Sequence, residues 1–174
     1  YNREYFISNP DKMMVIRISS SEKGAVSFNL NFESLLKYEM KTENFALLID
    51  GYAPYHAEPS YRKNIDEPIK FDKNRGIRFA TKVMIETRDG EVSQLEKSIG
   101  VNNATEAIIY VSTATSFNGF DKNPATEGKD AMKLASNYLD KVKNKSYEDV
   151  YKGHIADYQE FYNRVKLDLG ESLA

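Results

Sequence analysis

The chain has 174 residues, 41 % hydrophobic and 29 % charged, which suits a globular domain with a real core. Its 24 basic and 26 acidic residues give a net charge of −2, so there is no electrostatic basis for holding nucleic acid or an anionic membrane. With no cysteine, disulfides, thiol nucleophiles and thiolate metal sites are excluded; 12 Tyr, 9 Phe and no Trp weaken a sugar-stacking role without removing it.

No apolar run approaches the roughly 20 residues a membrane helix needs, and no secretory signal is visible. Tyr1 to Ser8 already reads as part of a strand, so the chain is expected to be a piece of something longer. Met14, Ile16 and Ile18 alternate with polar or smaller neighbours, and Glu22-Lys23-Gly24 supplies a turn. Val26, Phe28, Leu30 and Phe32 then alternate with Ser27, Asn29, Asn31 and Glu33, a period of two with one face buried and one wet. Phe45 to Ile49 is a further apolar, β-prone run. Gly51 to Phe71, with Pro54, Pro59 and Pro68, reads as a long surface loop. Ile77, Phe79, Thr81, Val83 and Ile85 mark a long strand, which Asp89-Gly90 ends with a hairpin-type turn before Glu91 resumes. Ala107 to Thr115 is the last β-rich run, and Phe117 to Lys129 is a second loop.

The period then changes. Ala131, Leu134, Ala135, Tyr138, Leu139 and Val142 follow helical spacing. Ser146 opens a second helix with Asp149 placed to help cap it, and Val150, Tyr151, His154, Ile155, Tyr158 and Tyr162 form its stripe. A short strand over Val165 to Leu169 is expected to close the chain. The fold class is therefore mainly β with C-terminal helices: an antiparallel β-sandwich followed by two linker α-helices.

Candidate chemistry is sparse. The two histidines are far apart, and neither HExxH nor EF-hand spacing occurs, so metal ligation has no support and no metal or cofactor is expected. His56 and Tyr55, in the proline-rich loop, are candidate sugar contacts; a loop histidine bonding a local group is the competing reading. His154 reads as a packed helix residue. Glycoside hydrolysis needs paired carboxyl groups, and Asp121, Glu127 and Asp130 cluster in sequence, but acids opening a helix explain Glu127 and Asp130 equally well.

Several blocks resemble the family 95 glycoside hydrolases, the α-L-fucosidases. They are Arg3-Glu4-Tyr5-Phe6 with Pro10-Asp11, the Gly51 to Tyr61 loop, Gly76-Ile77-Arg78-Phe79, and the run from Ala114 through Phe117-Asn118-Gly119-Phe120-Asp121 to Asp130. His154-Ile155-Ala156-Asp157-Tyr158-Gln159, Phe161-Tyr162-Asn163-Arg164-Val165, Leu167 and Leu169-Gly170 complete the series. The blocks run in family order from residue 1 to about 170.

The resemblance implies an N-terminal β super-sandwich of galactose-mutarotase-like type, a helical linker, an (α/α)6 barrel that does the chemistry, and a C-terminal β domain. It implies inverting exo-enzymes that release α-L-fucose, some acting on α-L-galactosides, with a Glu general acid and a water held by Asn residues backed by an Asp. Those residues belong to a barrel beginning after Gly170, so no catalytic residue carries over and the chain itself is expected to be inactive. Residues 1–117 would be the sandwich portion and 118–170 the loop and helical linker, bracing the barrel as its partner. Phe117, Asn118, Phe120 and Asp121 would border the sugar site, where a fucosylated oligosaccharide is the substrate. The alternative is an autonomous carbohydrate-binding module using Tyr52, Tyr55, His56 and Tyr61. A bacterial source and a periplasmic, cell-surface or secreted location are also implied. Exposed strand edges further suggest self-association of the piece, by strand pairing across a dimer.

Overall fold

The computed structural model describes residues 1–170. Eleven strands precede two helices among these residues. The strands are β1 (Asn2–Ser8), β2 (Met13–Ser19), β3 (Val26–Leu30), β4 (Lys37–Glu43), β5 (Ala46–Tyr52), β6 (His56–Ala57), β7 (Ile69–Lys70), β8 (Arg78–Thr87), β9 (Glu91–Gln94), β10 (Ile99–Ala104) and β11 (Glu106–Thr115). The helices are α1 (Ala131–Val142) and α2 (Tyr147–Tyr162). The expected antiparallel sandwich followed by helices is what the chain forms.

A six-stranded sheet runs β1-β2-β11-β8-β5-β4, and a three-stranded sheet runs β3-β10-β9. All pairings are antiparallel. The two sheets enclose one core of Leu47, Ile49, Val83, Ile85, Ile99 and Val101, with Ile16, Phe28 and Phe32 packed around it. The helices cover the opposite face of the large sheet. There Met13, Val15 and Tyr110 meet Leu139, Val142, Tyr147 and Val150. The central strands are thus buried on both faces: Ala80 is wholly buried in β8 alongside Val83 and Ile85. The alternation of Met14, Ile16 and Ile18 with Met13 and Val15 divides β2 between the two cores, not between core and water.

Three expectations are corrected. The proline-rich loop is shorter than Gly51 to Phe71, because β5 continues to Tyr52, and β6 and β7 form a small ladder within it. Asp89-Gly90 does not close a hairpin. It carries the chain from the large sheet to the small one, where β9 pairs with β10. Gly90 has φ +76°, and a Cβ there would run into the Asn102 carbonyl oxygen. The Asp89 carboxylate fixes the corner by accepting from the Thr105 backbone N–H and, at 2.7 Å, from the Thr105 hydroxyl. Finally, Val165 to Leu169 is exposed and forms no strand; among the described residues no strand pairs with it, and a lone strand is not stable in water.

Helix α1 starts at Asp130, whose side chain accepts from the Lys133 N–H. Helix α2 starts with a full capping box between Ser146 and Asp149, as the sequence suggested. The helices grip the β1–β2 turn. Lys145 Nζ lies 2.6 Å from buried Asp11, which also accepts from the Ser8 hydroxyl at 2.7 Å. Asn9 Nδ2 donates to the Asp157 carboxylate at 3.2 Å. Arg17 spans Glu4 and Glu106 and lies 4.8 Å over the Tyr147 ring, which seats the first turn of α2 on the sheet.

Candidate functional site

Both loops named from sequence emerge at one end of the large sheet. Tyr52 at the end of β5 pairs with Arg78 at the start of β8, and Thr115 at the end of β11 pairs with Phe79. The 72–77 turn between them is held by Asp72, whose carbonyl accepts from the Arg75 and Gly76 N–H groups. It reaches both loops: Arg75 lies 3.9 Å over the Tyr55 ring, and Asn123 Nδ2 reaches the Asn74 carbonyl at 3.4 Å.

The second loop closes on itself. Ser116, at its root, is buried; its hydroxyl accepts from the Arg78 N–H at 3.0 Å, and its carbonyl accepts from the Lys129 N–H at 2.9 Å. Asn118 Nδ2 donates to the Glu127 carbonyl at 2.9 Å, and the Glu127 carboxylate accepts from the Asn123 N–H at 3.1 Å. Glu127 and Asp130 therefore serve the loop and the helix start. Asn118 is spent on closing the loop. What remains at the tip, beside Gly119 (φ +119°), is Phe120, fully exposed, with Asp121 also exposed. Phe117 is half-exposed and lines a separate open cleft with Lys12, Lys129, Leu134 and Tyr138.

In the first loop, Tyr55 has one ring face covered by Arg75. His56 Nε2 lies 2.9 Å from Glu58, which Arg62 reaches at 2.7 Å from the other side. Hydrogen bonds from His56 first, and then Arg62, hold the Glu58 carboxyl below its usual range. Tyr52 meets Phe71 edge-on, with ring centroids 6.1 Å apart. Tyr61 is exposed alone, and no two of Tyr52, Tyr55, His56 and Tyr61 are in ring contact. The four do not assemble into one stacking platform. His154 stacks on Phe6 at 4.9 Å, a packed position as read from its place on the helical stripe.

Sequence reasoning missed a cleft of about 400 Å³ at the same end of the sheet, lined by Lys37, Glu39, Asp50, Tyr52, Lys73 and Arg78. Its residues come from three adjacent strands and a turn, so only the strand order brings them together. The outward positions of Lys37, Glu39 and Asp50 were the available signal, but β4 is too polar to register as a strand by hydrophobicity. Among the described residues no group of three His, Asp or Glu side chains is placed to hold a metal ion. No described helix is long and apolar enough to cross a membrane.

The arrangement brings aromatic and charged groups to a loop-bearing sheet end, where the cleft holds Glu39 and Asp50 from paired positions of β4 and β5. Those features define a loop-bearing antiparallel β-sandwich domain followed by two helices. The family described as glycosyl hydrolase family 65, N-terminal domain, matches residues 1–120, and the chain belongs to it. The chain is also similar to α-L-fucosidase 2 of Arabidopsis thaliana, with 31 % identity over 178 aligned residues. That match covers 99 % of this chain and 21 % of the relative, so the chain spans about a fifth of the relative's length. It bears out the resemblance to the family 95 enzymes, and the chain is an N-terminal, non-catalytic domain of a glycoside hydrolase.

Proposed function

We propose that this chain is the sandwich and helical linker of an inverting glycoside hydrolase that removes terminal α-L-fucose from glycans, and that it braces the catalytic barrel and borders its sugar site. The observation that carries this reading is the similarity to α-L-fucosidase 2 across 99 % of the chain. The convergence of both loops at one sheet end supports it, because loops on a rigid scaffold are where ligand contacts concentrate. Phe120 and Asp121 are the residues left free to reach a sugar or a neighbouring domain. Asn118 and Phe117 would act by shaping the loop. The same reading makes the longer protein a periplasmic, cell-surface or secreted enzyme.

The test compares the chain with its longer parent on a chromogenic α-L-fucoside. An active parent and an inert chain are expected; an active chain would overturn the reading. In the parent, Phe120→Ala and Asp121→Ala are expected to change kcat or KM. If both constants stay at their original values for both variants, the loop does not border the site.

A further inference from the structure

We propose that strand β4 is a self-complementary docking edge through which two copies of this chain pair antiparallel, joining their large sheets into one. β4 is an outer strand of the six-stranded sheet, with β5 on one side and, among the described residues, no strand on the other. A two-residue turn, Asn44-Phe45, with φ values of 50° and 56°, joins it to β5. In such a hairpin the residues flanking the turn form a hydrogen-bonded pair, and hydrogen-bonded pairs then recur at every second residue. Glu43, Lys41, Glu39 and Lys37, opposite Ala46, Leu48, Asp50 and Tyr52, therefore spend their backbone groups on β5. Tyr38, Met40 and Thr42 turn theirs outward. Among the described residues the contact made there is Gln94 Nε2, at 3.5 Å from the Thr42 carbonyl.

An antiparallel copy centred on Met40 pairs with all three, displacing Gln94 from the Thr42 carbonyl. Met40 pairs with Met40 of the second copy, and Tyr38 with Thr42 in each direction, every pair in the hydrogen-bonded position. The same register decides the side chains. Lys37, Glu39, Lys41 and Glu43 share one exposed face of β4. Across the two-fold, Lys37 falls opposite Glu43 and Glu39 opposite Lys41, so all four cross-strand pairs are of opposite sign. A row of lysines at this edge would have repelled a copy, the usual protection of an outer strand. An alternating row that reads as its own charge complement attracts one. Leu35, just before β4, and Phe45, in the turn after it, are both exposed. The β9–β10 turn is bonded to the Thr42 hydroxyl through the Leu95 carbonyl, and Gln94 beside it covers the Thr42 end of the edge, leaving the backbone groups of Tyr38 and Met40 open among the described residues. This pairing is independent of the activity proposed above.

The experiment is sedimentation velocity on the 174-residue chain from about 1 to 100 µM, with Lys41→Glu and the double variant E39K/K41E. Lys41 is exposed, so the variant leaves folding intact, which far-UV circular dichroism checks. The expected result is a concentration-dependent dimer whose Kd rises with salt. K41E places Glu39 against a glutamate twice and is expected to raise Kd by about tenfold or more. E39K/K41E restores opposite signs at every pair and is expected to return Kd to near its original value. A monomer throughout the range overturns the proposal. So does a dimer indifferent to K41E, which would pair through β1 or the aromatic face of α2, and so does a K41E loss that the double variant does not recover.

Discussion

Asp89 shows how much one side chain does at a corner of this fold. Its carboxylate holds both the Thr105 N–H and the Thr105 hydroxyl, and these bonds, the backbone one foremost, hold its pKa below the usual carboxylate range. A depressed folded-state pKa contributes stability above the unfolded pKa of about 3.9 and loses it as pH falls through the folded value. Asp89→Asn is therefore expected to lower Tm at pH 7 and to converge with the parent protein as the medium is acidified below that range. Equal Tm differences at pH 7 and pH 3 would contradict the assignment. Leu47 and Phe120 are opposites in burial. Leu47 is wholly buried between the sheets and Phe120 is wholly exposed. Leu47→Ala is expected to cost about 2–5 kcal/mol in denaturant unfolding. Phe120→Ala is expected to stay within about 0.5 kcal/mol. The contrast separates a residue that holds the core from one that faces solvent.

At the scale of elements, α1 and α2 differ in how they are held. α1 buries Ala131, Ala135, Leu139 and Val142 against the sheet. α2 buries only Tyr147 and Val150, and its remaining stripe is an aromatic ladder: Tyr147 stacks on Tyr151, and Tyr158 on Tyr162. Tyr151, Tyr158, Phe161 and Tyr162 are all substantially exposed. The attachment of α2 thus rests on its first turn, on the Phe6 ring packed against Tyr147, Tyr151 and His154, and on polar contacts to the β1–β2 turn. Lys145→Ala leaves the buried Asp11 carboxylate without its cation and is expected to cost about 1–3 kcal/mol. Ser146→Ala removes a capping box and is expected to cost about 1 kcal/mol. Hydrogen exchange should show the last two turns of α2 opening well before α1. Equal protection in the two helices would show that α2 is held by more than these contacts. The stripe itself was legible in sequence. Which end of it is covered was not, because periodicity marks an apolar face without naming its partner.

For the whole molecule, the first question is where the chemistry lies. The chain spans 21 % of the relative it resembles. Fucose release is expected from the longer protein alone, and mixing the chain with substrate should give no signal above buffer. The sequence by itself determined the β-to-α order, the positions of the long strands, the Ser146 cap and the family. These follow from local signals: side-chain period, turn residues, capping residues and blocks in a conserved-looking order along one chain. Only the tertiary structure decided that Asp89-Gly90 crosses between sheets. It also decided that β2 and β8 are buried on both faces and that Tyr55, His56 and Asn118 are engaged by Arg75, Glu58 and the Glu127 carbonyl. The cleft of Lys37, Asp50 and Arg78, and the open edge of β4, depend likewise on strand order. Strand order is set by non-local hydrogen bonds and by which faces meet, so residues far apart in sequence acquire their neighbours only when the sheets close.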